Sequence, residues 1–289
     1  MHIIENEILK ISIDGKGAEL KSIVHKGNGL EYMWSGDPAF WGKTSPVLFP
    51  IVGTLKNDEY IFDGQPYTLS RHGFARDKQF VAKQEAANII RFTLKDDEES
   101  LAIFPFNFIF SIIYMLEKNK LSVTYEVTNT GNRTMPFSVG GHPAFKLPLV
   151  AGNAYDDYFL HFEQQETAGR WPIVANGLIA AAPLPFLEAT NDLLLNKKLF
   201  EKDAVVLKHL HSNWVSLTST KSPHGLKFFF TGFDYLGLWA APGADFICIE
   251  PWCGIADSVN ATGNILEKEG IIPLPYKEHF SVTWQVEIF

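Results

Sequence analysis

Two cysteines, Cys248 and Cys253, are all that 289 residues contain. That is too few for a disulfide framework or for a zinc site built from cysteine alone, so both read as buried thiols. Positive charge is also short: 25 Lys and Arg stand against 33 Asp and Glu, a net charge of −8. Surfaces for nucleic acid or anionic membrane usually carry a basic patch, which this balance argues against while leaving room for a local basic pocket. No apolar run is long enough to span a bilayer. The opening Met1-His2-Ile3-Ile4-Glu5 has neither a basic n-region nor an apolar h-region, so a cytoplasmic location is expected. There is no P-loop and no Gly-x-Gly-x-x-Gly after a strand, which leaves nucleotide cofactors without support. Neither a linker nor a repeat of 20 to 50 residues is found. Helical patterning is scarce, confined to Asp97 to Phe104 and Asp192 to Phe200.

What the chain has instead is apolar and aromatic material in short alternating segments. Hydrophobic residues make up 46% and aromatic residues 13%, with 23 Phe and 7 Trp, which suits broad sheets with aromatic faces. Ile8 to Ile13 and Leu20 to His25, split by Asp14-Gly15-Lys16-Gly17, read as a meander. Tyr60-Ile61-Phe62, Asp63-Gly64 and Pro66-Tyr67-Thr68-Leu69 form the clearest hairpin signal, because Asp-Gly suits the tight primed turns. Further strands are expected at Asn107 to Leu116, Leu121 to Thr128, Trp214 to Ser219, Gly225 to Thr231, Leu236 to Ala240, Phe246 to Ile249 and His279 to Ile288. Pro148 to Pro185, rich in turn residues and weak in periodicity, reads as long loops across one end of the sheets. The expectation is an all-β protein, a large antiparallel β-sandwich spanning residues 1–289 as one domain.

Three stretches carry chemistry. In Ser138-Val139-Gly140-Gly141-His142-Pro143, a strand-like run ends in two glycines and a histidine that the following proline holds extended. The glycines suit a place where a ligand nears the main chain, or simply a tight turn. Phe246-Ile247-Cys248-Ile249-Glu250-Pro251-Trp252 has the same design: an apolar run, the mark of a strand buried on both faces, ending in a carboxylate before a proline. A buried carboxylate is costly unless paired, so His142 and Glu250 are a candidate acid/base pair. Arg71-His72-Gly73-Phe74-Ala75-Arg76-Asp77 follows the hairpin, and Arg71, His72 and Arg76 are either fixed donors for sugar hydroxyls, a phosphate or a carboxylate, or plain loop residues. Phe40-Trp41-Gly42-Lys43 adds an aromatic surface of the kind a sugar ring stacks on, unless Trp41 is core. His209-Leu210-His211 would put two histidines on one side of a strand, but no third metal ligand is spaced nearby.

In order and spacing, the Arg-His-Gly segment, the Gly-Gly-His-Pro segment and the strand-terminal Ile-Glu-Pro-Trp resemble the aldose 1-epimerase (galactose mutarotase) family over essentially the whole chain. The run His72 to Arg76 looks most like the LacX-type branch and its hexose-6-phosphate epimerase cousins. The resemblance implies a β-supersandwich that interconverts the α and β anomers of an aldose without cofactor or metal. It implies that His142 protonates the ring oxygen while Glu250 removes the C1 hydroxyl proton, and that His72 contacts the sugar. Asp203, in Glu201-Lys202-Asp203-Ala204-Val205-Val206, is similar, more loosely, to the family's hydroxyl-holding aspartate. Where the galactose enzymes carry an asparagine-arginine pair before the first histidine, this chain has Thr54-Leu55-Lys56-Asn57, a departure that bears on galactose as substrate.

The expected partner is a small-molecule sugar, with no nucleic acid or membrane partner, and the protein is expected as a monomer or homodimer. A neutral hexose is placed first and a hexose phosphate second, since Asp77 can neutralise Arg76. A glycoside hydrolase would usually need two carboxylates flanking one bond, and only Glu250 is well placed. A sugar-binding protein without turnover stays open, because fold does not fix function. The two readings part on whether His142 and Glu250 face each other across one pocket.

Overall fold

Two antiparallel sheets of unlike character dominate the computed structural model, which describes all 289 residues. The larger has nine strands, in spatial order Leu184–Leu194, Tyr158–Arg170, Trp214–Ser219, Ser222–Phe229, His279–Ile288, Lys120–Asn129, Phe108–Glu117, Ile89–Lys95 and Val81–Ala86. Its central strands alternate buried and half-exposed residues, as a sheet with one face on the core and one on water must. The smaller has six strands, ordered Val205–Lys208, Tyr235–Trp239, Phe246–Trp252, Gly140–Gly141 and Val47–Leu48, with Ala144–Lys146 also paired to Phe246–Trp252. All seven residues of Phe246–Trp252 are buried. Between the sheets lies a cluster of 73 buried residues that includes the stacked Phe49, Phe110 and Phe228, Trp284 pairs.

The all-β expectation holds, and so does the Asp63-Gly64 hairpin. Phe62 pairs with Gln65, and both turn residues have positive φ, 49° and 74°, as a type I′ turn requires. Asp97 to Phe104 contains the only α-helix, Glu98–Ile103, whose Asp97 N-cap and Ser100 form a reciprocal capping box. Both cysteines are buried thiols. No helix is long and apolar enough to cross a membrane.

Three expectations fail. Asp192 to Phe200 is not a helix: Leu184–Leu194 is a strand, and only Lys197–Phe200 forms a 3-10 turn. Pairing with Tyr158–Arg170 overrides the local helical preference. That partner strand itself lies within the supposed loops of Pro148 to Pro185. Its first half alternates cleanly at Tyr158, Leu160 and Phe162, but register shifts beyond His161 break the period. Inside the irregular half, the buried Glu166 carboxylate accepts the N–H groups of His211 and Ser212. His209 and His211 therefore sit in a turn after Val205–Lys208, not on one side of a strand.

Candidate active site

The floor of the site is the face of the small sheet that carries Cys248, Glu250 and Trp252. Gly237 lies opposite Glu250 in the register, and Trp239 opposite Cys248. The Trp252 indole lies across the neighbouring strands: a Cβ on Gly237 would stand 2.5 Å from its Cζ2, and one on Gly140 would stand 2.8 Å from its Cδ1. Gly141, on the opposite pleat, is crowded by the Tyr125 hydroxyl and Trp284. Neither Gly140 nor Gly141 has a positive φ. The glycine pair therefore serves close approach of aromatic side chains rather than unusual backbone angles. Alternation then turns His142, two residues after Gly140, toward the floor.

There His142 and Glu250 meet, Nε2 to Oε2, at 3.2 Å, with side chains 12% and 2% exposed. Trp41 lies over the imidazole face at 4.9 Å between centroids and 30° between planes. Trp239 and His72 approach it edge-on at 5.7 and 6.0 Å. Within this cage the ring's Nδ1 is buried and without a partner. Burial pushes His142 down to about 3, with Arg71 and Arg76 adding to the shift. Burial raises Glu250 well above the carboxylate range, and Asp203 adds to this, while Arg71 and the Trp252 indole oppose it. Both shifts disfavour charge on the pair, so the proton the two groups share rests on Glu250.

A clamp of main-chain bonds sets His72. Its φ is +69° and that of Gly73 is +68°, a left-handed pair in which a Cβ on Gly73 would collide with the Phe49 carbonyl. Phe49 N–H donates to His72 O at 3.2 Å, His72 N–H to Gly53 O at 2.9 Å, and Gly53 N–H to His72 Nδ1 at 3.1 Å. Ser138 grips the same segment, donating its N–H to Pro50 O and accepting Val52 N–H at its hydroxyl. With Nδ1 accepting, the imidazole proton is on Nε2. Arg71 Nε–H approaches the other ring nitrogen, Nε2, at 3.3 Å. Burial, then Arg71, His142 and Arg76, hold His72 far below the usual histidine range, so it stays a neutral donor.

All seven residues expected from sequence, Trp41, Arg71, His72, Arg76, His142, Asp203 and Glu250, line one cavity of about 390 Å³. Asp203 has a φ of +80° and accepts the N–H of Ala204 at 2.7 Å. Lys43, Glu201, Trp239 and Trp252 line it too. Trp239 and Trp252 were legible only as strand aromatics, and their place on the floor follows from register. Donor atoms of His142, Cys248 and Glu250 lie within 4.8 Å of one another. The thiol, held protonated by burial and by Glu250, would have to ionise before serving a metal. A paired imidazole and carboxyl of neutral overall charge, beside fixed donors, is suited to moving two protons on one small molecule.

Comparison with known proteins gives the family and the fold. The family model described as Aldose 1-epimerase matches residues 1–273. The plasmid and chromosomal LacX proteins of Lactococcus lactis subsp. lactis are each 38% identical over 275 residues, 91% of either chain. Among solved structures, a galactose mutarotase related enzyme from Lactobacillus acidophilus shares 33% identity at a TM-score of 0.94, over 100% of this chain and 97% of that one. A galactose mutarotase-like protein from Lactobacillus casei ATCC 334 gives the same identity and TM-score over 100% of both. With a family match running from the first residue to 273 and the large sheets shared with these neighbours, the chain belongs to the aldose 1-epimerase family and has a galactose mutarotase-like fold.

Proposed function

We propose that this protein is an aldose 1-epimerase that interconverts the α and β anomers of a hexose by opening and reclosing the ring. The observation that carries the reading is the 3.2 Å contact between His142 Nε2 and Glu250 Oε2 on the floor of the cavity. The shared proton first passes from Glu250 to His142 across the 3.2 Å contact; as imidazolium, His142 then gives it to the ring oxygen while the Glu250 carboxylate takes the proton of the C1 hydroxyl. The bond from C1 to the ring oxygen breaks, C1 becomes an aldehyde, and the ring oxygen becomes the C5 hydroxyl. Rotation about the C1–C2 bond followed by the reverse transfers closes the other anomer.

Opening leaves His142 neutral and Glu250 protonated. That is the protonation state the buried pair favours, so burial stabilises the open-chain intermediate relative to the charged pair. Asp203 and the Nε2–H of His72 suit the sugar hydroxyls, and Trp41 both stacks on His142 and presents an aromatic wall. The test is NMR of anomer exchange in D2O over free and phosphorylated hexoses. Exchange that scales with protein and brings no deuterium to C2 is expected. Sugar binding without exchange, or deuterium at C2, would overturn the assignment.

A further inference from the structure

We propose that His142, Cys248 and Glu250 form an inhibitory site for a thiophilic divalent cation, zinc above all, on the floor of the cavity; the loss of activity rests on the epimerase reading above, the binding does not. The register builds the triad. Cys248 and Glu250 are two residues apart on Phe246–Trp252, so they share a face. Gly140 pairs with Trp252 and Ala144 with Cys248, which leaves His142 between them, opposite Glu250. One ligand atom from each of the three residues lies within 4.8 Å of the other two. His142 Nε2 and Glu250 Oε2 are 3.2 Å apart. Zinc bonds of ~2.0–2.3 Å at tetrahedral angles put nitrogen and oxygen ligands about 3.4 Å from each other and sulfur about 3.6 Å from either. The imidazole and the carboxyl already stand close to that spacing, and the thiol has to close by little more than about 1 Å.

Imidazole, thiolate and carboxylate together select zinc over magnesium or calcium, which take oxygen ligands. Charge points the same way. A zinc ion displaces the thiol proton and the proton that His142 and Glu250 share, so two positive charges leave as two arrive. The floor stays neutral, as its burial demands. Cys248 and Glu250 are 0% and 1% exposed, unlike the solvated acidic groups of a surface that cluster without holding an ion. The buried Trp252 indole N–H has no hydrogen-bond partner and favours the ionised form of Glu250, the form that a metal needs. Trp41, Trp239 and Phe246 pack against one another beside the triad and wall it from water on that side. The cavity lies on the other side and leaves a fourth coordination position for water. Its lining does not repel a cation, since Glu201, Asp203 and Glu250 stand against Lys43, Arg71 and Arg76. A metal on His142 Nε2 and Glu250 Oε2 takes the two atoms that carry protons during ring opening. The zinc-bound chain therefore cannot turn over sugar.

The experiment titrates zinc chloride into the protein by calorimetry and cobalt(II) chloride by absorption spectroscopy, with anomer exchange of glucose followed alongside. One zinc per chain with a micromolar or lower Kd is expected, together with a thiolate-to-cobalt charge-transfer band. Exchange should fall by roughly 100-fold or more as the site fills, the scale of a lost acid or base, and return with EDTA, while magnesium chloride does nothing. Cys248→Ala and Cys248→Ser, checked for folding by circular dichroism, should bind zinc at least about 10-fold more weakly and lack the charge-transfer band. Should neither variant fold, the band in the wild-type cobalt complex decides alone. Equal zinc affinity in both Cys248 variants, a cobalt complex without the thiolate band, or no saturable zinc binding overturns the inference while leaving the epimerase reading standing. Zinc binding that depends on Cys248 in a protein that exchanges no sugar does the opposite: the metal site stands and the epimerase reading falls.

Discussion

The nine-stranded sheet and the six-stranded sheet solve different problems. The large one turns one face to water, so its strands alternate, and its polar groups pair locally, as Thr124 and Thr283 do across strands at 2.8 Å. The small one is buried on both faces, its strands are two to seven residues long, and almost everything in them is apolar or glycine. A carboxylate in such a strand is largely cut off from water and costs stability unless it is paired, as Glu250 is with His142. Polar residues therefore mean different things in the two sheets: surface in the first, chemistry in the second.

The sharpest way to break this contrast is to neutralise the floor pair. His142→Asn and Glu250→Gln should each slow anomer exchange by roughly 100- to 10,000-fold with the fold retained. The double variant should be little worse than either, because both residues serve one proton cycle. Stopped exchange measurements with circular dichroism check this, and additive losses would separate the roles. Next is Gly237→Ala, whose new Cβ meets the Trp252 ring at 2.5 Å. It should cost about 1–3 kcal/mol in chemical denaturation and up to about 100-fold in exchange, through displacement of the floor.

Smaller effects probe stability. The raised folded pKa of Glu250 means that, above the ordinary carboxylate range, the folded state binds more protons than the unfolded chain does. Its contribution is favourable below the ordinary carboxylate range and is lost as pH rises toward the folded pKa. Glu250→Gln should therefore melt at least about 2 °C above wild type at neutral pH, with the gap closing below about pH 4. Calorimetry at the two pH values decides; a lower melting temperature at neutral pH would show the carboxyl to be a net stabiliser. Least of all, Thr283→Val on the water-facing side should change stability by less than about 1 kcal/mol and leave exchange as it was.

The same contrast explains what was legible in the sequence. Alternation in Phe108–Glu117, Lys120–Asn129 and His279–Ile288 announced the large sheet, and a lone glutamate before proline in an otherwise apolar run announced Glu250. Tyr158–Arg170 stayed hidden because its register shifts erase the period, and Val81–Ala86, an edge strand with five of six residues exposed, carries no core face to read. Trp239 and Trp252 could not be placed on the floor without the register that sets Gly237 opposite Glu250. Whether Arg71 has an ion-pair partner was illegible for the same reason: it depends on contacts that local sequence does not encode. The glycines before His142 were visible, but their reason, an indole on one side and Tyr125 with Trp284 on the other, belongs to packing.

The central claim is that His142 and Glu250 work as one buried pair sharing a single proton, and the pH dependence of kcat/KM for anomer exchange tests it most directly. Free groups with ordinary values of about 4.3 and 6.5 would give a narrow bell, active only between them. The buried pair should instead stay active over a broad range, losing activity toward pH about 3 as His142 takes a second proton, and on the alkaline side as the raised Glu250 gives up the shared one. A narrow bell centred between the ordinary values would contradict the shared-proton account.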